Sequence, residues 1–144
     1  MRKSVLVAMV LAGVLVASQS AAPGHSDPPA EKPAGEPGLK LETLLKAVLE
    51  GVDGTEVIVS RVTIPPNTSL PKHWHPGEEF AYVLEGSVTL WQKGKDDIVG
   101  TKGDVMKVPL KQVHTAITKD QGVTILVFRV HEQGQPERVP AEGD

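Results

Sequence analysis

Pro71-Lys72-His73-Trp74-His75-Pro76-Gly77-Glu78-Glu79 is the stretch whose reading decides the fold. Side chains alternate faces along an extended strand. Positions 73, 75 and 79 share one parity, so a strand aims His73, His75 and Glu79 the same way, toward Ala81 and Val83. Phe80, Tyr82 and Leu84 take the other face. A helix would not do this, because residues two apart on a helix do not face each other. Glu78 has the opposite parity and reads as solvated or as paired with a lysine such as Lys72. A bulge after Pro76-Gly77 would exchange the two glutamates.

A fourth candidate ligand, His114, follows Gly103-Asp104 and Pro109, and it has the parity to share an inward face with Ala116 and Thr118. Three imidazoles and a carboxylate make a ligand set for one divalent transition metal, iron, manganese, cobalt, nickel, copper or zinc, more than for magnesium or calcium. Four protein ligands leave about two positions of an octahedral shell open, as a working metal needs and a closed structural site does not. A ligating histidine must be neutral and a carboxylate ionised, so such a site forms near neutral pH and weakens in acid.

Outward from this segment, the chain reads as short strands between turn signals. Thr55 to Ile64 is rich in Val and Ile, and Pro65-Pro66-Asn67 breaks it. His73 to Leu84 makes one strand or a pair. Glu85-Gly86-Ser87 is expected to turn the chain, with Val88 to Gln92 running back. Lys93 to Asp97 is a polar hairpin loop. Further strands fit Ile98-Val99, Asp104 to Val108, His114 to Thr118 and Val123 to His131. Arg129 and His131 read as a solvated strand end, with the sharper alternative that one of them enters the barrel mouth and holds an anion. Trp74 and Tyr82 read as outer-face residues. Leu41 to Leu49 fits a helical stripe and a short strand about equally. Many short strands at close spacing mean a sandwich or small barrel. No internal repeat, dinucleotide-binding glycine pattern, phosphate-binding loop or serine nucleophile elbow is present.

The 144 residues amount to one domain, and 14 glycines and 12 prolines favour a β-rich fold with many turns. Only five residues are Phe, Trp or Tyr, so the core must be aliphatic. A net charge of −3 gives no nucleic-acid footprint. Residues 1–22 read as a signal peptide: Arg2 and Lys3 start it, Val5 to Ala17 form an apolar run, and Ser18, Ser20, Ala21 and Ala22 are small. The run is shorter than the ~20 residues needed to span a bilayer, so no stable membrane anchoring is expected. Residues 23–38 carry repeated prolines and no large apolar side chain until the folded part begins, the composition of a linker. Residues 39–132 form the folded domain, and 133–144 a polar tail that wraps the domain or frays. The expected location is periplasmic or secreted. The absence of cysteine excludes disulfides and thiolate ligands.

The pattern resembles the cupin family. Its first motif is matched by His73, His75, Glu79 and Gly86, and its second by Gly103, Pro109 and His114. Asn67 stands where the first motif usually starts with glycine, and Asn tolerates the left-handed conformation of such a turn. Lys111 replaces the glycine after Pro109, and Thr118 replaces the asparagine that often closes the second motif. The resemblance implies an all-β fold, a single jelly-roll barrel of six to eight strands; the signal peptide and Pro-rich linker read from composition precede it. The resemblance also implies one metal inside and a homodimer.

Two function classes follow. One is a metal-dependent enzyme, dioxygenase- or oxidoreductase-like or a lyase, acting on a small oxygen-bearing molecule. The other is a non-catalytic cupin that binds a small molecule or buffers a metal. Fold alone does not choose between them. The discriminator is the barrel mouth: an enzyme should show an apolar pocket with polar groups close to the metal ligands.

Overall fold

A computed structural model describes residues 38–142. The signal-peptide reading of 1–22 and all of the linker but Gly38 lie outside the described residues, as do 143–144. Among the described residues there are strands and turns and no helix. The strands are β1 (Lys40–Val48), β2 (Thr55–Ile64), β3 (His73–Trp74), β4 (Gly77–Gln92), β5 (Ile98–Thr101), β6 (Val105–Val108), β7 (His114–Ile117), β8 (Val123–Glu132) and β9 (Val139–Pro140). All pairings are antiparallel and form one curled sheet in the order β1-β2-β8-β4-β7-β3-β9, with β5 and β6 also pairing β4. The result is a half-barrel consistent with a jelly roll.

β4 makes the curl. Its first half pairs with β8 and β6 and its second half with β5 and β7. The register slips between Val83 and Glu85. Up to Val83 the odd positions are buried; from Val88 the even ones are. One extra residue switches the parity, which is what a bulge does. The expected turn at Glu85-Gly86-Ser87 is therefore a bend, and Val88 to Gln92 continue the strand instead of running back. Gly86 permits it. It has φ +77°, and a Cβ there would lie 1.9 Å from the carbonyl oxygen of Gly122.

Leu41 to Leu49 resolves as strand. Lys40–Val48 hydrogen-bonds along β2 and is exposed throughout, so the helical stripe had no core to face. The core lies between the inward faces of β2, β4, β6 and β8: Val62, Ile64, Ala81, Val83, Val88, Leu90, Met106, Val108, Val123, Ile125 and Val127. It is aliphatic, as the scarcity of aromatic residues required.

The three departures from the family pattern keep their turns. Asn67 has φ +53° and Lys111 φ +56°, so both adopt the glycine-like conformation. Lys111 N–H then donates to the His75 carbonyl at 3.1 Å, tying the second motif to the first. Thr118 is buried; its hydroxyl donates to the Pro65 carbonyl at 2.6 Å and accepts from Thr68 N–H at 3.0 Å. Thr118 thereby holds the Pro65–Thr68 turn in the place of an asparagine. Tyr82 is 43% exposed on the outer face, and Glu78 pairs with Lys107 at 2.6 Å, a lysine other than the one expected. The polar tail wraps the domain: β9 pairs with β3, and Ala141 N–H donates to the Lys72 carbonyl at 3.1 Å.

Candidate metal centre

His73 on β3 and His114 on β7 are directly opposed in the sheet. His75 follows two residues on, with its backbone carbonyl fixed by Lys111. All three rings are buried, and their centroids lie 4.4–5.0 Å apart. One nitrogen from each ring falls within 4.8 Å of the other two, so the three histidines could hold a metal ion.

The other ring nitrogens say which atoms are available. His73 Nδ1 lies 2.9 Å from the Pro71 carbonyl and His114 Nδ1 2.9 Å from the Gln112 carbonyl, while His75 Nδ1 contacts the Glu137 carbonyl. A carbonyl only accepts, so each Nδ1 carries the proton. In the neutral rings Nε2 is then a lone pair, the form a metal needs, oriented by a backbone partner. Burial, with His114 next to it, lowers the His73 pKa to about 4. Burial also lowers His114, against the opposing pull of Glu79.

Glu79, on β4, stands at the edge of the histidine cluster. Its Oε2 is 3.0 Å from His75 Nε2 and its Oε1 is 3.9 Å from His114 Nε2. His75 Nε2 is buried and makes no well-angled hydrogen bond. A neutral His75 therefore turns a lone pair toward a carboxylate oxygen, a contact that a cation placed among them would relieve. The donor set thus fits a divalent transition metal. Burial raises the Glu79 pKa, but the Arg129 guanidinium outweighs it and holds the carboxyl well below the usual range.

Arg129 corrects the solvated-strand-end reading. It is buried, and its Nε donates to Glu79 Oε2 at 2.7 Å. Its Nη1 reaches Glu137 Oε2 at 3.4 Å. His131 is buried as well, with Nε2 3.0 Å from Glu56 Oε1. Gly77 makes room for it: a Cβ there would lie 2.3 Å from the His131 Cβ. The signal for both residues was in the sequence, since 129 and 131 share parity with the core positions 123, 125 and 127. Glu137 and Arg138 had no such signal, because the tail carries no periodicity.

A cavity of about 80 Å³ opens beside the cluster. His73, His114, Glu79, Arg129 and Arg138 supply its polar wall, and Leu39, Val62, Leu70, Leu90, Met106 and Ile125 are among its aliphatic residues. An apolar pocket with a few convergent polar groups is the usual form of a small-molecule site.

Residues 60–129 match the family described as Cupin domain, and that segment belongs to the cupin family. No curated protein matches the sequence. Among solved structures, the DMSP lyase DddQ from Ruegeria pomeroyi is 23% identical with a TM-score of 0.61, over 74% of this chain and 54% of that one. A cupin-like protein from Thermotoga maritima is 23% identical, TM-score 0.54, over 74% and 79% of the two chains. KdgF from a Halomonas species is 18% identical, TM-score 0.53, over 65% and 80%. These likenesses show a shared fold. This chain spans about half the length of the Ruegeria lyase.

Proposed function

We propose that this chain is an exported, metal-dependent cupin enzyme that acts on a small oxygen-bearing molecule. The observation that carries the reading is the convergence of three buried imidazoles whose Nδ1 atoms are all committed to backbone carbonyls. His73, His75 and His114 hold one divalent transition metal, and Glu79 is the fourth ligand. The metal would supply a Lewis acid or a site for O₂ activation.

The chain's own groups favour the dioxygenase- or oxidoreductase-like reading. Among the described residues lining the cavity, the proton-accepting side chains are His73, His114 and Glu79. Glu79 is a weak base, because Arg129 and its neighbours hold it ionised. Proton abstraction by the protein therefore has no well-placed agent. The aliphatic walls orient the body of the substrate and exclude water from the reacting end. A lyase is the second reading, since the solved structures of similar fold include a DMSP lyase.

The composition of residues 1–22 supports a periplasmic or secreted location. Homodimer formation is also part of the proposal: β1 exposes Leu41, Leu44, Leu45 and Val48 on a strand that pairs with β2 alone among the described residues, a surface suited to a second copy.

The test is elemental analysis of protein recovered from its native compartment. One transition metal per chain is expected, and His75→Ala should lower that content sharply. Equal metal loading of the variant would refute the ligand assignment.

A further inference from the structure

We infer that the ligand of this site is a small anion, a short-chain carboxylate, and that Arg138 is the residue that recognises it. The inference rests on the proposed metal centre and adds the substrate class.

Two arginines line the cavity, and they differ. Arg129 is committed, with Nε on Glu79 and Nη1 on Glu137. Arg138 is half-buried and makes no hydrogen bond or ion pair with another described residue. A guanidinium has five donors and no acceptor, and Arg138 is part of the cavity lining. Planar bidentate donation to a carboxylate is what that group does best.

The backbone holds Arg138 beside the histidines. On one side the Glu137 carbonyl accepts from His75 Nδ1. On the other side Val139 pairs with Trp74 and Pro140 with His73. Arg138 sits between two anchors, one residue beyond the end of the β3–β9 ladder. Its side chain is therefore placed by the same contacts that orient the ligands.

Charge and size define the occupant. The lining carries one carboxylate, Glu79, and two guanidiniums. A divalent cation on the histidines makes the excess of positive charge larger. An anion is favoured in a partly desolvated space of this kind. The other walls are aliphatic, and the cavity is about 80 Å³, so the body of the ligand is a few carbons long. The carboxylate meets Arg138, and an oxygen at the other end faces the histidines.

The test uses the full chain loaded with cobalt(II) and titrated with butanoate and with butanamide, an uncharged molecule of nearly the same shape. Binding is read from the visible spectrum of the cobalt centre and, independently of any metal, from the arginine Nε–H signals by NMR. Butanoate should bind roughly tenfold or more tightly than butanamide, the scale of one charge-assisted hydrogen bond. Arg138→Gln should abolish most of that preference with cobalt content unchanged, and Arg138→Lys should restore part of it. Equal binding of the two molecules, no binding of either, or an Arg138→Gln variant that still prefers butanoate would each overturn the inference. Failure of cobalt to load would count against the metal reading alone. The Arg138 Nε–H signal, which should move with butanoate and not with butanamide, would still decide the anion.

Discussion

Replacing Arg129 by Met removes the guanidinium that bonds Glu79 and leaves an unbranched, uncharged side chain in the β8 row. Glu79 is 8% exposed, and its shortest contact is the 2.7 Å bond from Arg129 Nε. What remains is His75 Nε2 at 3.0 Å and His114 Nε2 at 3.9 Å. Breaking a buried pair by removing one partner costs ~3–5 kcal/mol, because the other charge is stranded. The stranded carboxylate has an escape, which is to take a proton. From its ordinary value of 4.5, that costs about 1.4 kcal/mol per pH unit, or about 3.4 kcal/mol at pH 7. The two routes agree on a loss of about 3 kcal/mol. In a domain of this size that lowers the melting temperature by roughly 12 °C or more. The protonation route also fixes the pH dependence. At pH 5 neutralising Glu79 costs only about 0.7 kcal/mol, so the gap between variant and wild type should narrow by up to about 2.7 kcal/mol. Urea unfolding of metal-free protein at pH 7 and pH 5, followed by the fluorescence of Trp74 and Trp91, measures both quantities. Adding a divalent metal should shrink the gap at pH 7, since the ion replaces the lost positive charge. A loss under about 0.5 kcal/mol at pH 7, or a gap that widens in acid, would refute this account of the Glu79–Arg129 pair.

The metal-free protein should lose stability as pH falls from 6.5 toward 4. His73 and His114 have folded-state pKa values depressed by burial, so their contribution is complete above 6.5 and is lost as protons enter the unfolded chain first, with a slope of up to about 1.4 kcal/mol per unit for each group; a flat profile in urea titrations over that range would contradict the buried neutral rings. Gly86→Ala should yield insoluble or unfolded protein, since its Cβ would meet the Gly122 carbonyl at 1.9 Å in a left-handed backbone, and a folded circular dichroism spectrum would show that the β4 bend is not as tight as described. Thr118→Val should cost ~1–3 kcal/mol by stranding the Pro65 and Thr68 groups, while Thr118→Asn should stay close to wild type; equal losses in thermal melts would mean that the hydroxyl bonds contribute little. Lys111→Gly should raise stability by up to about 1 kcal/mol, because a lysine at φ +56° carries left-handed strain that glycine lacks, offset by the entropy of the freer unfolded chain.

The fold was legible where one face of a strand carries a continuous message. Thr55–Ile64 matched its strand to the residue because Val and Ile fill it and prolines end it. The bend of β4 at Gly86 is not legible in the local sequence, for a specific reason. A glycine with φ above zero serves a hairpin turn and a bulged bend equally well, and nothing local tells them apart. What decides is the partner across the bend, here Gly122, thirty-six positions away in sequence. β1 was ambiguous for the opposite reason. Its apolar residues are exposed, so the burial that gives a pattern its meaning is missing.

The site divides along the same line. His73, His75 and His114 were visible because a ligand set combines residue type with parity, and strand pairing then brings the two segments together. Arg129 is legible by parity, against the general expectation that a charged strand end is solvated. The parity rule outranks that expectation whenever a carboxylate of the matching parity lies on the neighbouring strand, and Glu79 is directly across from Arg129 in the β4–β8 register. The pair can then be inferred without coordinates once the register is known. Glu137 and Arg138 belong to a third case. Glu137 acts on His75 through its backbone carbonyl, which any residue would supply, so no side-chain pattern can announce it. The tail is recruited by the unpaired edge of β3, and a two-residue ladder, Val139–Pro140 on Trp74–His73, suffices to carry both residues to the rim of the histidine cluster. The part of the centre that contributes its ligands was therefore written in side chains, whereas the part that orients His75 and lines the cavity depends on which edge a polar tail finds.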